Sequence, residues 1–450
     1  MFTNAGPRAA GEDAVCCKSR SLLIGIIFLI LAPGVFGSCS TILEEVQPVP
    51  PMSTANTGPY LTTEENLETV KRLIDKHEEH YREILERLIK HADEWLEEGP
   101  WSVTFKDEAF YGPSNNPHDY VTLDTFTWPN PNTEDGLPYV RRDGQTNPEG
   151  ANYDRQSLAR LSRAVEELSL AWSLTENEVY AEHAAFLIRT WFLDEETRMN
   201  PHFRYAQFWP GVRDGGAQGI VEGRDFIHII EGATLIYNSK AWSGRDHRDL
   251  KEWFFNFQQW IGRNYNNNSF GNSNIGTWLD AQKTIYTLFT DQTELLHNRN
   301  HLLPVEERIN MQFSADGGMP TELNRHNGLF YTWFNLKGYI YQAEMRDNII
   351  TVNFEGNQAD TFYKMSGSTV DASIERGLDW LLPYASGQQE WNFPQRNPFN
   401  ECRFIEIYRP AALSLMRSEY EEFVQELLED PACYNITTLL THPPLGRAQN

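Results

Sequence analysis

Residues 154–193 read DRQSLARLSRAVEELSLAWSLTENEVYAEHAAFLIRTWFL, and this stretch decides the fold class. Its apolar residues recur at intervals of three and four, the spacing that places them on one face of an α-helix. A short polar segment around Glu176 interrupts the pattern. The stretch therefore predicts two helices, 154–174 and 177–193, joined by a turn so short that they pack antiparallel.

The same pattern extends in both directions from this pair. A long helical pattern runs from Thr63 and Glu64 to Trp95, and Gly99-Pro100 stops it. Further helices are predicted at 222–238, 247–263, 275–290, 305–314, 328–345, 371–386, 403–416 and 418–429. Strand alternation is scarce. We therefore predict one all-α domain of antiparallel helix hairpins over 61–435, after a flexible linker at 38–60 and before a C-terminal tail at 436–450.

Three irregular stretches rich in aromatic residues interrupt the helices, at 101–152, 198–219 and 264–278. The first holds too many prolines for a helix to survive. Loops of this length in a compact chain are usually functional. Aromatic residues make up 13% of the chain, and aromatic faces are also platforms for sugar rings. We expect the long loops to gather at one end and form a cleft.

The composition limits the partners. The formal net charge is −25, which argues against nucleic acid, because phosphate binding needs a basic surface. It does not argue against an acidic polysaccharide, since a cleft on an acidic protein can be locally basic.

The N-terminus predicts export. Arg8, Lys18 and Arg20 precede an apolar run from Leu22 to Ala32, which suits a signal peptide better than a full membrane span. Residues 1–37 are therefore interpreted as a signal peptide or an uncleaved signal anchor. The protein is then secreted or extracytoplasmic, with membrane contact through that anchor alone.

Other sequence features fit this interpretation. Cys402 and Cys433 form a candidate disulfide in an oxidising compartment, and Asn267 and Asn435 begin N-glycosylation sequons. The spacing of Cys, His, Asp and Glu predicts neither a metal site nor a cofactor.

A series of motifs then carries a resemblance. In chain order these are SVTFK (102–106), PSNNPHDY (113–120), TWPNP (127–131), PYVRRDGQTNP (138–148), TRMNPHFRYAQFWPG (197–211), GIVEGRDF (219–226), GTWLDAQ (276–282), RINMQFSADGGMPTELNR (308–325), YTWFNLKG (331–338) and IERGLDWLLPYA (374–385). Together they resemble the alginate lyase-like family of polysaccharide lyases, which act on polyuronates such as alginate and glucuronan. The resemblance implies an incomplete (α/α) toroid and an acidic polysaccharide substrate.

The chemistry of such an enzyme has defined needs. A lyase removes the C5 proton beside a uronate carboxylate, so it must neutralise that carboxylate and supply a base at C5 and an acid at O4. One Tyr can do both when the two groups lie on the same side of the ring. Because a free phenol has a pKa of about 10, a neighbouring Arg must favour the phenolate.

The resemblance assigns these roles to three residues. Tyr331 is implied to be the base and acid, Arg325 to set its protonation or bind the carboxylate, and Asn274 to grip the carboxylate. Without the resemblance, Tyr331 is more simply a core aromatic, since Phe330, Trp333 and Phe334 surround it in sequence.

One position departs from the family pattern. The family carries Asn-His-Gly-Thr-Trp, whereas this chain reads Asn274-Ile275-Gly276-Thr277-Trp278. Ile275 can neither accept a proton nor donate a hydrogen bond. The route in which His serves as a second catalytic group is therefore in doubt, while the route through one Tyr is open. His326, directly after Arg325, is a candidate substitute for the missing His.

Aromatic and polar residues inside the motifs are candidate substrate contacts, although core packing or a surface ion pair explains each one equally well alone. The predicted contacts are His118, Asp119, Tyr120, Trp128, Tyr139, His202, Tyr205 and Trp278, with Trp209 as a further platform and Arg141, Arg142 and Arg224 as carboxylate clamps.

Three functions are compatible with the sequence. The first is a polyuronate lyase acting through Tyr331. The second is a catalytically impaired carbohydrate-binding relative, which the loss of the family's His would explain. The third is a glycoside hydrolase, which needs two carboxylates flanking the bond, and Asp119, Asp143 and Asp280 are available but unpaired in sequence.

Overall fold

Helices carry the fold. The computed structural model describes residues 52–142, 144–266, 269–298, 301, 303–349 and 361–446. Within these ranges the helices are α1 (Glu64–Asp75), α2 (Glu79–Leu96), α3 (Asp154–Thr175), α4 (Glu178–Phe192), α5 (Asp225–Leu235), α6 (Gly244–Asn264), α7 (Asn274–Phe289), α8 (Val305–Gln312), α9 (Pro320–Leu323), α10 (Gly328–Ile349), α11 (Ile374–Ala385), α12 (Ile405–Leu415), α13 (Ser418–Leu427) and α14 (Ile436–Thr441).

The predicted helix pair forms at α3 and α4, which pack against each other. Glu176 ends α3 in the left-handed region, with φ of 57°, and so reverses the chain direction. Asn177 then caps α4, because its side-chain oxygen accepts a hydrogen bond from the backbone N–H of Val179. Two adjacent residues with opposite capping roles therefore make the tight turn.

The helices form an inner ring with an outer layer, as the predicted incomplete toroid requires. α3, α5, α7, α10 and α12 pack in succession, and α14 lies against α12 on one side and against α2 and α3 on the other. The outer helices α4, α11 and α13 pack on α3, α10 and α12, respectively. A continuous buried core joins the two layers.

Short strands hold the irregular stretches together. β1 (Val121–Leu123) pairs in parallel with β4 (Tyr205–Phe208), and β2 (Thr127–Trp128) pairs antiparallel with β3 (Val140–Arg141). The first pairing joins two segments that are far apart in sequence. As expected, the predicted loops 101–152 and 198–219 therefore meet.

One predicted helix is divided in two. The pattern from Thr63 to Trp95 breaks after α1, where His77 has a φ of 61°. The residues around the break, Lys76 to Glu79, are all polar. These residues have no apolar side chain to bury, so apolar burial does not favour a continuous helix at this point.

The packed region extends beyond the predicted limits 61 and 435. Tyr60 is fully buried, and its backbone N–H donates to the Glu231 carboxylate at 2.7 Å. At the other end, Leu439 and Leu440 of α14 are buried. Residues 1–51, which include the predicted signal segment and most of the predicted linker, lie outside the described residues.

The predicted disulfide is present between Cys402 and Cys433. It ties the segment before α12 to the turn before α14. Asn435, the second sequon, caps α14, and its side-chain amide donates to Glu406 at 3.3 Å. Asn267, the first sequon, lies outside the described residues. Among the helices described, none is long and apolar enough to span a bilayer.

Candidate active site

Tyr331 lies in the first turn of α10, directly beside Arg325. The guanidinium carbon of Arg325 is 3.8 Å from the centre of the Tyr331 ring. The Tyr331 side chain is half-buried, so it is not enclosed in the core like its neighbour Trp333, which is 3% exposed. A cation at this distance favours the anionic form of a phenol. The predicted Tyr and Arg are therefore in direct contact, as their predicted roles require.

Asn274 begins α7 and is connected to the same region through Glu322 of α9. The Glu322 carboxylate accepts the backbone N–H of Asn274 at 2.7 Å and its side-chain amide at 2.9 Å. The backbone carbonyl of Glu322 accepts the N–H of Arg325 at 3.0 Å. Burial raises the pKa of the Glu322 carboxyl, against the opposing effect of the Asn274 hydrogen bonds. Glu322 thus links two predicted catalytic residues, a role that no sequence pattern indicates.

Ile275 sits next to Asn274 in the first turn of α7. Its side chain is half-buried and packs against the hydrophobic core. A hydrocarbon at this position supplies no proton-transfer group. His326 lines the cavity beside Tyr331 and is the nearest imidazole in sequence.

Tyr331 opens onto a cavity of about 250 Å³ between three segments of the chain. The aromatic-rich loop supplies one wall, the start of α10 supplies the second, and the segment after α11 supplies the third. The residues that line it are Phe126, Gly144, Thr146, Arg325, His326, Asn327, Phe330, Tyr331, Gln395, Asn397 and Pro398. We call this space the cleft.

The third wall, 394–397, is bound to the start of α10 by main-chain hydrogen bonds. The carbonyl of Pro394 accepts the Gly328 N–H at 2.8 Å, and the carbonyl of His326 accepts the Arg396 N–H at 2.8 Å. The side-chain oxygen of Gln395 accepts the Leu329 N–H at 3.0 Å. This segment carries no recognisable catalytic pattern, so its place at the cleft cannot be inferred from the sequence alone.

Cations stand beside the cleft. A second, open pocket shares His326 and Gln395 with it and is also lined by Arg142 and Arg396. Arg142 also lies 5.1 Å from the centre of the Trp128 ring. An arginine can bind a carboxylate through two parallel hydrogen bonds. Arg142 and Arg396 are therefore candidate carboxylate-binding residues.

Asp119 is held in a polar network at the base of the aromatic-rich loop. Its carboxylate accepts hydrogen bonds from Ser114, from Asn200 at 2.7 Å and from His202, whose Nε2 lies 3.1 Å away. Burial raises the pKa of Asp119, but these hydrogen bonds outweigh burial and lower it to about 2. His118 is oriented by the carbonyl of Arg198, 2.7 Å from its Nδ1. Because the Asp119 carboxylate lies 3.1 Å from Nε2 of His202, it orients the His202 ring.

Two predicted substrate contacts are wrong because the side chains are buried. Tyr120 is fully buried and donates to Glu222 at 2.9 Å. Trp278 is 2% exposed, and its indole donates to the carbonyl of Phe334 at 3.1 Å. Neither ring presents a face to a sugar. The family-like motifs around them hold core residues as well as surface residues.

The other predicted platforms are half-buried and keep part of their rings at the surface. The Trp128 indole donates to the carbonyl of Gln145 at 3.0 Å, and the Tyr139 hydroxyl donates to Glu149 at 2.8 Å. Tyr205 contacts the His202 ring, with centres 6.2 Å apart. The half-buried Trp209 donates from its indole to the carbonyl of Tyr139 at 2.8 Å. These rings remain candidates for sugar contact.

The predicted clamps Arg141 and Arg224 both have acidic neighbours. Arg141 lies 3.6 Å from Asp124, and Arg224 lies 3.5 Å from Asp225. Arg224 also stacks over Phe334, 5.6 Å from the ring centre. Of the three predicted clamps, Arg142 is the one that lines the pocket beside the cleft.

The hydrolase interpretation gains no support from the two described carboxylates. Asp280 is 1% exposed and forms an ion pair of 2.8 Å with Arg308 in the core. Asp119 is committed to the network with His202. Asp143 lies outside the described residues. Among the described residues, no group of three His, Cys, Asp or Glu side chains could hold a metal ion.

A second cavity, of about 390 Å³, lies inside the helix ring and is separate from the cleft. Its acidic groups are largely paired: Glu166 lies 2.8 Å from His228, and Glu406 forms a short ion pair with Lys337. None of the predicted catalytic residues lines it. We therefore place the candidate active site at the cleft around Tyr331.

The chain is similar to known proteins in both sequence and structure. The sequence profile of the alginate lyase family matches residues 104–391. The structure of an alginate lyase from Bacteroides ovatus superposes with a TM-score of 0.73 at 30% identity, over 85% of this chain and 99% of that chain. No curated protein matches the chain in sequence.

Two structures of a histidine-to-alanine variant of alginate lyase A1-III are more distant. The complex with a tetrasaccharide has a TM-score of 0.46 at 12% identity, over 71% of this chain and 84% of that chain. The apo form has a TM-score of 0.48 at 13% identity, over 80% of this chain and 95% of that chain.

Proposed function

Because this chain belongs to the alginate lyase family of polysaccharide lyases, we propose that it cleaves a uronic-acid polymer by β-elimination at the cleft around Tyr331. The observation that carries the proposal is the guanidinium of Arg325, 3.8 Å from the centre of the Tyr331 ring. The proposal places catalysis on Tyr331, Arg325 and Asn274.

In the proposed reaction Tyr331 acts twice. Its phenolate takes the C5 proton of the sugar, the electrons of that bond form the C4–C5 double bond, and the C4–O4 bond breaks. The new Tyr331 hydroxyl then gives its proton to O4 of the departing sugar. Arg325 favours the phenolate at the start, and positive charge near the uronate stabilises the electron density that builds on its carboxylate.

Asn274 supports the same step as a hydrogen-bond donor. Asn274 is 3% exposed and lies outside the lining of the cleft, and one of its amide hydrogens is directed to Glu322; the proposal assigns the other amide hydrogen to the substrate carboxylate. A donor that needs no reorganisation stabilises developing charge more effectively than water does. Arg142 and Arg396, beside the cleft, are proposed to bind the carboxylates of neighbouring sugars.

Ile275 narrows the set of uronates that the proposed reaction can cleave. One tyrosine can serve as base and acid only if H5 and O4 lie on the same face of the ring, as in D-mannuronate and D-glucuronate. In L-guluronate they lie on opposite faces, so two groups are needed. Because Ile275 supplies no second group, we propose a polymer of mannuronate or glucuronate as the substrate.

The same residue favours a second candidate function. If catalysis by one tyrosine is too slow, the chain is an impaired relative that binds acidic polysaccharide without cleaving it. Loss of a general acid or base costs about 10²- to 10⁴-fold in rate. The cleft and its arginines suit either function.

Ultraviolet absorbance separates the two candidates, because elimination leaves an unsaturated sugar that absorbs and binding leaves none. We expect the protein to generate this product from polymannuronate or glucuronan, and Tyr331→Phe to lower the rate at least about 100-fold. The phenylalanine keeps the ring but loses the hydroxyl. Binding without product on polymannuronate, polyguluronate and glucuronan would support the impaired relative instead.

A further inference from the structure

Four aromatic rings form a patch on the surface beside the cleft. They belong to Trp380 and Tyr384 of α11 and to Trp391 and Phe393 after it. The centres of Trp380 and Tyr384 are 5.0 Å apart, those of Tyr384 and Trp391 are 5.4 Å apart, and those of Trp391 and Phe393 are 5.1 Å apart. All four side chains are half-buried. We call these four residues the aromatic patch.

The local sequence explains why the rings meet. Trp380 and Tyr384 are four residues apart on one face of α11. Gly387, with a φ of 73°, then turns the chain after the helix ends. The returning segment places Trp391 and Phe393 against the helical pair. Glu390 before Trp391 and Asn392 between Trp391 and Phe393 are exposed, so the chain alternates rings with polar side chains here.

The patch is joined to the cleft through the chain segment that follows Phe393. Phe393 directly precedes Pro394, whose carbonyl accepts the N–H of Gly328 three residues before Tyr331. Trp380 packs against the Gly317 and Gly318 turn, which leads into α9. From the chain geometry, the patch begins roughly 10 to 15 Å from Tyr331.

The pocket of Arg142 and Arg396 is lined by Pro394 and Gln395, the two residues that follow the patch. The four rings and the two guanidinium groups are therefore neighbours in this region, with the rings preceding the pocket-lining residues Pro394 to Arg396 in the chain. This combination matches the chemistry of a uronate chain, in which each sugar offers a carboxylate and an apolar ring face. Aromatic rings bind apolar faces, and arginines bind carboxylates.

We propose that the aromatic patch is an extended subsite that binds sugar units of the acidic polysaccharide several residues away from the bond that is cleaved. This inference rests on the proposed function, since it takes the polymer as the ligand. The patch touches no reacting atom. The patch binds the polysaccharide, so it contributes to the affinity for long substrates and does not change the rate of the chemical step.

The test uses substrate length as the variable. Trp391→Ala in the full chain removes one ring, and Trp391→Phe keeps an aromatic face at the same position. Phe105→Ala is the matched control, because Phe105 is an aromatic side chain that is 56% exposed and outside the patch. Kinetics are measured on the long polymer and on purified trisaccharide, and thermal unfolding checks that each variant is folded.

We expect Trp391→Ala to raise KM for the polymer about 5- to 10-fold, with kcat and the kinetics on trisaccharide unchanged. Trp391→Phe should recover most of the affinity, and Phe105→Ala should behave like the wild type. An equal change on both substrates, or no change on either, would overturn the proposal. If Trp391→Ala does not fold, Tyr384→Ala provides the same comparison.

The result is separable from that of the proposed function. Product formation by the unmodified protein reports on the proposed function alone. If no polymer is cleaved, the dissociation constant of polymannuronate, measured by calorimetry, replaces KM. A weaker affinity in Trp391→Ala then supports the subsite, and an unchanged affinity refutes it.

Discussion

Glu322 holds Asn274 by two hydrogen bonds, from the backbone N–H at 2.7 Å and from the side-chain amide at 2.9 Å. One carboxylate therefore fixes both the start of α7 and the direction of the Asn274 amide. The same residue is three positions before Arg325, whose N–H it accepts on its backbone carbonyl. The relative position of two proposed catalytic residues depends on a side chain that is 1% exposed and reaches no substrate.

Glu322→Gln should lower kcat about 10- to 100-fold with a smaller effect on KM. The neutral amide keeps the size of the side chain but turns one acceptor into a donor that faces Asn274. A misdirected amide loses its effect mainly in the transition state. Steady-state kinetics on the preferred polymer measure the change.

Glu167→Gln is the matched control for that variant. Glu167 is also buried, at 4% exposed, but it lies on α3 and accepts the indole N–H of Trp95 at 2.6 Å. It should lower stability without changing kcat of the folded protein. A Glu322→Gln protein with wild-type kcat would show that Glu322 has no positioning role.

Ile275→His should add activity on polyguluronate. The imidazole would supply the second group that elimination across opposite ring faces requires, while Tyr331 remains in place. Ultraviolet product assays on the two alginate polymers measure the ratio of activities. Ile275→Phe, similar in bulk and without a titrating group, should gain nothing; equal gains in both variants would point to cleft shape instead of proton transfer.

Stability should fall as the pH rises from about 4.5 to about 7, partly because of Glu231. Burial raises the pKa of this carboxyl to about 7, although the N–H groups of Tyr60 and Leu61 oppose that shift. The folded state then holds the proton more tightly than the unfolded state. Its contribution is complete below the unfolded pKa and is lost as the pH passes the folded pKa.

Urea unfolding at pH 5 and pH 7.5, in the wild type and in Glu231→Gln, isolates this effect. Other buried acids shift in the same direction, so the difference between the two proteins is the informative quantity. We expect the wild type to lose about 1 to 3 kcal/mol more than the variant across this range. Parallel pH profiles would contradict the prediction.

The disulfide between Cys402 and Cys433 should stabilise the fold substantially. The two cysteines are 31 residues apart. By restricting the unfolded chain, a bridge of this span lowers the entropy of the unfolded state and so stabilises the fold by about 3 to 4 kcal/mol. The double variant Cys402→Ser/Cys433→Ser should unfold at a lower urea concentration, and its free energy of unfolding should be lower by that amount. Reducing agent should shift the wild type in the same way and leave the double variant unchanged.

Much of the fold could be predicted from local pattern. The apolar periodicity of residues 154–193 and the polar break at Glu176 predicted α3 and α4 within about two residues. The motifs also proposed Tyr331, Arg325 and Asn274; the first two line the cleft, and Asn274 is hydrogen-bonded to Glu322 three residues before Arg325. Such features depend on residues close in sequence, where helix periodicity and capping act directly.

Burial could not be predicted in this way. Tyr120 and Trp278 stand in motifs of the same character as Trp128 and Tyr139, yet the first two are in the core. Their environment depends on Glu222 and Phe334, which lie 102 and 56 residues away. No local pattern encodes such a contact.

The sequence by itself therefore determined the helical class and the family, and it proposed candidate catalytic residues. Only the tertiary structure decided which of them meet, because Glu322 joins α7 to α9 and the segment 394–397 closes over the start of α10. It also decided that four rings near the end of the domain form a surface beside the cleft. Periodicity acts within a helix, whereas a site requires long-range contacts that form only when the ring of helices packs.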